Sequence, residues 1–136
     1  MNRFEKNYKR LLPYIEDMIG TAKSYKRFTA LGFMPLVIER LTTKDDDGCY
    51  IFSISHYYVQ NGDLMADPDM TVKVNPEHKT VEALTYQQDA FGIYQEVYFI
   101  QSGKTYVRPK LRQELNAFLE HWLVNIKNQG YKLEEK

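Results

Sequence analysis

The stretch CYIFSISHYY at 49–58 and the Asn-Gly pair at 61–62 constrain the fold most strongly. Aromatic and apolar residues alternate there with small polar ones, which is typical of a strand with one buried and one wet face. Asn-Gly supplies the two positive-φ residues that a tight hairpin turn requires. We therefore predict a hairpin that places His56 opposite Asp67, unless a bulge at Asp67-Pro68 shifts the pairing.

Other periodicities predict further strands and two helices. Apolar residues recur at helical spacing in the first and last segments, and Pro109 and Gly130 are typical of a helix start and a helix stop. Pro13 predicts a kink or a division in the first helix, and residues 132–136 are predicted to be a frayed tail. The predicted elements are a helix over 3–24, strands over about 33–41, 49–60, 64–75, 80–86 and 93–100, and a helix over 109–129.

The order of these elements predicts the fold class. Short turns between strands make consecutive strands antiparallel neighbours. A sheet with one apolar face needs a cover, which two amphipathic helices provide. We therefore predict one α+β domain over residues 1–136, an antiparallel β-meander of about five strands with the N-terminal and C-terminal amphipathic helices packed on one face.

Composition restricts the functional class. Cys49 is the only cysteine, which excludes an internal disulfide and agrees with a reducing cytosol. The charged start is unlike a signal peptide, and no apolar stretch approaches the roughly 18 residues of a membrane span, so we expect a cytoplasmic protein. Residues 1–30 carry seven Lys/Arg and three Asp/Glu. A nucleic-acid binder usually has a larger basic excess, so these charges are interpreted as a solvated helix face, although a phosphate or an acidic partner is the alternative.

Three segments together resemble an uncharacterised family of small bacterial proteins associated with conjugative and other mobile elements. They are ISHYYVQNGDLMADPDMTVKV, YQQDAFGIYQEVYF and RPKLRQELNAFLEHWLVNIKNQGY. More remotely, the chain is similar to an uncharacterised proteobacterial family that has a strand similar to DPDMTV and a final helix similar to NAFLEHWL. The resemblance covers roughly residues 32–131. It implies a bacterial, cytoplasmic accessory protein and assigns no activity or catalytic residue.

The segment from His56 to Asp69 holds the densest set of polar candidates. His56 beside Asp67 or Asp69 fits a pair of metal ligands, an acid–base pair or a structural hydrogen bond. In the structural interpretation, Asp63 completes the turn, one of the later aspartates caps the kink at Pro68, and His56 is a half-buried strand residue. We predict no metal and no cofactor.

The tyrosines form a second candidate surface. Tyrosine offers a large contact area at a low entropy cost, so tyrosines on the sheet face away from the helices would suit a binding surface. The alternative is that they fill the core and its edges. The tyrosines on or near predicted strands are Tyr57, Tyr86, Tyr94, Tyr98 and Tyr106.

Two functional hypotheses follow. The first is a non-catalytic binding or regulatory module whose partner is a protein or a small ligand, with a homodimer as a further option. The second is a metal-assisted hydrolase or another small enzyme centred on His56, Asp67 and Asp69. The candidate binding residues are His56, Tyr57, Tyr58, Asn61, Asp63, Asp67, Asp69, Tyr86 and Tyr94.

Overall fold

A computed structural model describes residues 1–42 and 44–134. Two short 3₁₀ segments, Glu16–Met18 and Asp89–Phe91, lie between the regular elements. The helices and strands are α1 (Arg3–Ile15), β1 (Tyr25–Thr29), β2 (Leu36–Arg40), β3 (Tyr50–Gln60), β4 (Asp63–Asn75), β5 (Thr80–Gln88), β6 (Ile93–Glu96), β7 (Tyr98–Gln101), β8 (Lys104–Val107), α2 (Pro109–Gln129) and β9 (Lys132–Leu133).

Seven of the strands form one antiparallel sheet in the order β6-β5-β4-β3-β2-β1-β9, and β7 and β8 form a separate hairpin. The predicted α+β class and the antiparallel sheet are confirmed. The prediction of about five strands was too low, because β1, β8 and β9 were not recognised and one predicted strand is two.

The first predicted helix is shorter than expected. Helix α1 includes Pro13 and ends at Ile15, and the chain turns at Gly20, where φ is +72°, before β1 begins. Strand β1 was missed because its inward-facing positions include a lysine. Lys26 is buried among apolar residues. Its charge is tolerated there because Nζ donates to the Tyr14 carbonyl oxygen at 3.1 Å and pairs with the Asp17 carboxylate.

The last predicted strand, 93–100, is divided at the buried Val97 into β6 and β7. β7 pairs with β8 across Ser102 and Gly103, which both have positive φ, as a tight hairpin turn requires. Ser-Gly is a weaker turn signal than Asn-Gly, so this hairpin was not predicted. The expected frayed tail at 132–136 also differs, since Lys132 and Leu133 form β9, which pairs with β1; residues 135–136 of this tail lie outside the described residues.

Both helices cover the same face of the sheet. Alternate residues of the central strands meet the apolar stripes of α1 and α2 in one core. No helix in the described ranges is long and apolar enough to cross a bilayer. The fully buried side chains at the centre of this core include Leu11, Ile15, Phe52, Ile54, Met70, Val72, Leu119 and Leu123. We call the other side of the sheet, which neither helix covers, the open face.

Asn116 joins three elements in this core. Its Oδ1 accepts a hydrogen bond from the Ala83 backbone N–H of β5 at 2.9 Å, and its carbonyl oxygen accepts one from Asn7 Nδ2 of α1 at 3.3 Å. Strand β6 pairs with β5 only from Thr85 onward, so the Ala83 N–H lies beyond that ladder and Asn116 satisfies it. The Asn116 side chain thus fixes α2 against the sheet, and its backbone carbonyl joins α2 to α1.

Replacing Asn116 with alanine leaves the buried Ala83 N–H without an acceptor. We expect Asn116→Ala to lower the free energy of unfolding by about 2 kcal/mol. Urea denaturation followed by circular dichroism measures this. Asn125→Ala on the exposed side of α2 is the control, with an expected change within about 0.5 kcal/mol. Equal effects of the two substitutions would contradict the role of Asn116.

Candidate functional site

The hairpin of β3 and β4 follows the predicted register from the turn as far as Tyr57 and Ala66. Pairing resumes with Ser55 opposite Asp69, so the strands fall out of step around the Asp67-Pro68 peptide, which is cis. The predicted irregularity at this dipeptide is therefore present. Its consequence is that the residues on the two sides of the bulge belong to different hydrogen-bonded groups.

His56 lies on the helix-covered face and is buried. Its Nδ1 donates to the Pro35 carbonyl oxygen at 3.0 Å, since a carbonyl only accepts, and its Nε2 accepts from Trp122 Nε1 at 3.1 Å. Tyr131 packs against the ring, with 5.7 Å between the ring centroids. Burial lowers the pKa of His56 below its ordinary value. The imidazole is therefore neutral, and both of its nitrogens are used in structural hydrogen bonds.

Asp69 lies on the open face, where it holds Tyr57. Its Oδ2 accepts from the Tyr57 hydroxyl at 2.7 Å, and its Oδ1 accepts from Ser53 Oγ at 2.9 Å. Burial, and then the hydrogen bond to this carboxylate, raises the pKa of Tyr57 to about 12. The phenol stays protonated and its ring is fixed in position.

Asp67 belongs to a different group. Its Oδ1 accepts from Gln88 Nε2 at 2.8 Å, and Gln88 Oε1 accepts from the Tyr86 hydroxyl at 2.6 Å. The Tyr86 ring packs edge-on against Phe118 of α2, with 5.3 Å between the centroids. This group therefore attaches the end of β5 to α2.

The three residues of the enzyme hypothesis are thus not assembled into one site. His56 and Asp69 lie on opposite faces of the sheet, and Asp67 is engaged by Gln88. Across residues 1–42 and 44–134, no group of three His, Cys, Asp or Glu side chains could hold a metal ion. Cys49 is buried, and burial raises the pKa of its thiol, which disfavours the nucleophilic thiolate.

The other candidate residues lie along the hairpin and at the edge of the sheet. Tyr58 is half-buried, Asn61 occupies the turn with φ of +52°, and Asp63 is exposed at the start of β4. Tyr94 on β6 is 61% exposed. Tyr25 on β1 is also 53% exposed and was missed, because its strand was not predicted.

Strand pairing arranges the open face in two rows that cross six strands. Directly opposed residues share a face, so the register gives the composition of each row. One row is Tyr94, Gln87, Asp69, Ser55, Val37 and Arg27, and the other is Glu96, Thr85, Thr71, Ser53, Glu39 and Tyr25. Small hydroxyl and polar residues occupy the middle, and an exposed tyrosine stands at each far side. Five strand spacings separate these tyrosines, or about 24 Å.

The fold and this surface define a class, a small α+β protein whose antiparallel sheet is backed by helices on one face and open on the other. The chain belongs to the family described as Domain of unknown function (DUF6908), which matches residues 6–132. Comparisons with curated proteins and with solved structures give no match.

The hydrogen bonds of His56 predict a pH-dependent stability. Its pKa is lowered in the folded protein, so the unfolded chain binds the proton more tightly. The contribution of neutral His56 to the free energy of unfolding is complete above pH 6.5, the ordinary pKa of histidine. It is lost as the pH falls from 6.5 toward the lower pKa that His56 has in the folded protein. We expect His56→Gln, which does not titrate, to lack this loss. The urea midpoints of the wild type and of His56→Gln at pH 7.5 and pH 5.0 measure this loss of stability. If the midpoints of both proteins fall equally with pH, His56 is not its cause.

The Tyr57–Asp69 hydrogen bond predicts a second stability difference. Tyr57→Phe keeps the ring and removes the donor to the carboxylate, so we expect a loss of about 1–2 kcal/mol in the free energy of unfolding. Tyr106→Phe in the exposed β7–β8 hairpin is the matched control, with a change within about 0.5 kcal/mol. Thermal and urea unfolding compare the two, and an unchanged Tyr57→Phe protein would show that the bond contributes nothing.

Proposed function

We propose that this protein is a non-catalytic binding module that takes a partner protein on the open face of its sheet. The observation that carries the proposal is the fixed Tyr57 ring beside Asp69 and Ser53, on a sheet face that neither helix covers. A tyrosine that is already ordered gives up little conformational freedom when a partner covers it.

The composition of the open face supports contact with a protein surface. Ser53, Thr71 and Thr85 are small and partly exposed, so a partner could approach the sheet closely. Their hydroxyls already form hydrogen bonds with Asp69 or with each other, so the partner would meet a polar surface whose own bonds are satisfied. Tyr25 and Tyr94 supply exposed aromatic area of the kind enriched in interfaces.

The size of the open face favours a protein over a small ligand. The rows extend about 24 Å across the strands, and the long central strands β3, β4 and β5 extend about 30 Å or more along their own direction. The open face therefore has an area on the order of 700 Å². A typical stable interface buries about 800 Å² on each partner. A second copy of the chain would fit the same area.

The sequence resemblance supports the further proposal that this is a bacterial, cytoplasmic protein associated with mobile elements.

Removing both exposed tyrosines should weaken partner binding without unfolding the protein. We expect Tyr25→Ala/Tyr94→Ala to bind the partner at least about tenfold more weakly, because interface tyrosines often contribute more than about 1 kcal/mol each. Immobilised wild type and variant are compared for the proteins they retain from a bacterial cytosol, and the affinity for the retained protein is then titrated.

Tyr106→Ala removes an exposed tyrosine outside the main sheet and serves as the control. Analytical ultracentrifugation of the same proteins identifies the case in which the partner is a second copy. Equal retention of every bound protein by the wild type and the double variant, with no change in self-association, would refute the proposal.

A further inference from the structure

A groove of about 690 Å³ lies between α1 and α2, on the helix side of the molecule. Its rim carries the side chains of Lys6, Lys9 and Arg10 from α1 and of Lys127 from α2. Its apolar lining includes Leu123 and Val124 of α2, together with Pro13 and Tyr14 of α1. The groove thus combines an apolar floor with a cationic rim.

The cations of the rim form no close ion pairs within the described residues. No acidic side chain lines the groove. Within residues 1–42 and 44–134, the ion pairs include Arg3 with Glu120, at the start of α1, but none formed by Lys6, Lys9 or Lys127. Like charges one turn apart on a helix repel each other, so this arrangement lowers the stability of α1 when no partner is bound.

Arg10 provides a second, independent observation. Its Nη1 atom is buried and has no hydrogen-bond acceptor among the described residues. A buried guanidinium nitrogen without an acceptor is unfavourable, so turning the Arg10 side chain toward a carboxylate in the groove would give this donor the acceptor that it lacks.

The distribution of the charges identifies the kind of ligand. Lys6, Lys9 and Arg10 follow one side of α1 over about 6 Å, and Lys127 is contributed by α2, so the cations are spread along the groove and do not converge on one point. A single phosphate or carboxylate would use only part of them. An extended ligand with several negative charges matches this spread, and apolar groups on that ligand match the floor.

We infer that this groove binds an acidic, amphipathic peptide segment of a partner protein. Its carboxylates would pair with the lysine and arginine rim while its apolar side chains pack on Pro13, Tyr14 and Val124, which line the groove and are accessible. An amphipathic helix in a groove between two helices is a common mode of peptide recognition. Nucleic acid fits the groove less well, because single strands bind through several aromatic side chains on which bases stack, and Tyr14 is the one aromatic residue among the described residues that line the groove.

The test uses fluorescence anisotropy with a labelled helical peptide of about 18 residues, in which glutamate and leucine occupy opposite faces. Its scrambled sequence and an oligothymidine of equal length are the comparison probes. We expect the patterned peptide to bind more tightly than either, with an affinity that falls as salt is added.

Lys6→Glu/Lys9→Glu should weaken this binding by about tenfold or more. Both lysines are exposed, and glutamate is a good helix former, so the variant should fold, as circular dichroism will verify. Lys104→Glu/Lys110→Glu makes the same change in net charge away from the groove and should bind within about twofold of wild type.

Three results would overturn the inference. They are equal binding of the patterned and scrambled peptides, tighter binding of the oligothymidine, and unchanged affinity in Lys6→Glu/Lys9→Glu. The open-face variant Tyr25→Ala/Tyr94→Ala should bind the peptide normally. Failure of this inference is therefore distinguishable from failure of the proposed function.

Discussion

Two buried polar contacts determine where α2 lies on the sheet. Asn116 accepts from the β5 backbone, and Trp122 Nε1 donates to His56 on β3. Apolar packing alone allows a helix to slide or rotate, whereas these directional bonds specify one position. Because Asn7 of α1 donates to the Asn116 carbonyl oxygen, the placement of α1 depends on the same residue. The groove between the helices and the coverage of the core both follow from this placement.

The elements with strong local signals were predictable. Helix α2 occupies the predicted 109–129, with Pro109 in its first turn and Gly130 as a left-handed stop, and the Asn-Gly hairpin has the predicted register next to its turn. The missed strands lack such signals. β1 carries the buried Lys26, whose acceptor lies 12 positions earlier in the chain, and no local pattern reveals such a partner.

The candidate site could be located in the sequence but not resolved. Sequence reasoning singled out His56, Asp67 and Asp69, and it left open whether they form a site or stabilise a hairpin. The partner of the imidazole Nε2 is Trp122, 66 positions away, and short-range spacing contains no information about that contact. The separation of the two aspartates depends on the bulge, whose place was predicted but whose effect on side-chain direction was not.

The open face and the cationic groove lie on opposite sides of one sheet. The open face is polar and hydroxyl-rich, whereas the groove has an apolar floor and a basic rim. Their chemistries differ, so the two proposed binding surfaces would suit different partners. A protein that held both at once would act as a bridge, bringing the two partners within a few tens of ångströms of each other.

The short outer strands have a consequence for solubility. β3 and β4, with 11 and 13 residues, lie in the interior of the sheet, whereas the outermost strands β6 and β9 have four and two residues. Long exposed edges recruit strands from other chains and lead to aggregation. By ending the sheet on short strands, the chain keeps a broad open face while its outermost strands offer little template for uncontrolled strand addition.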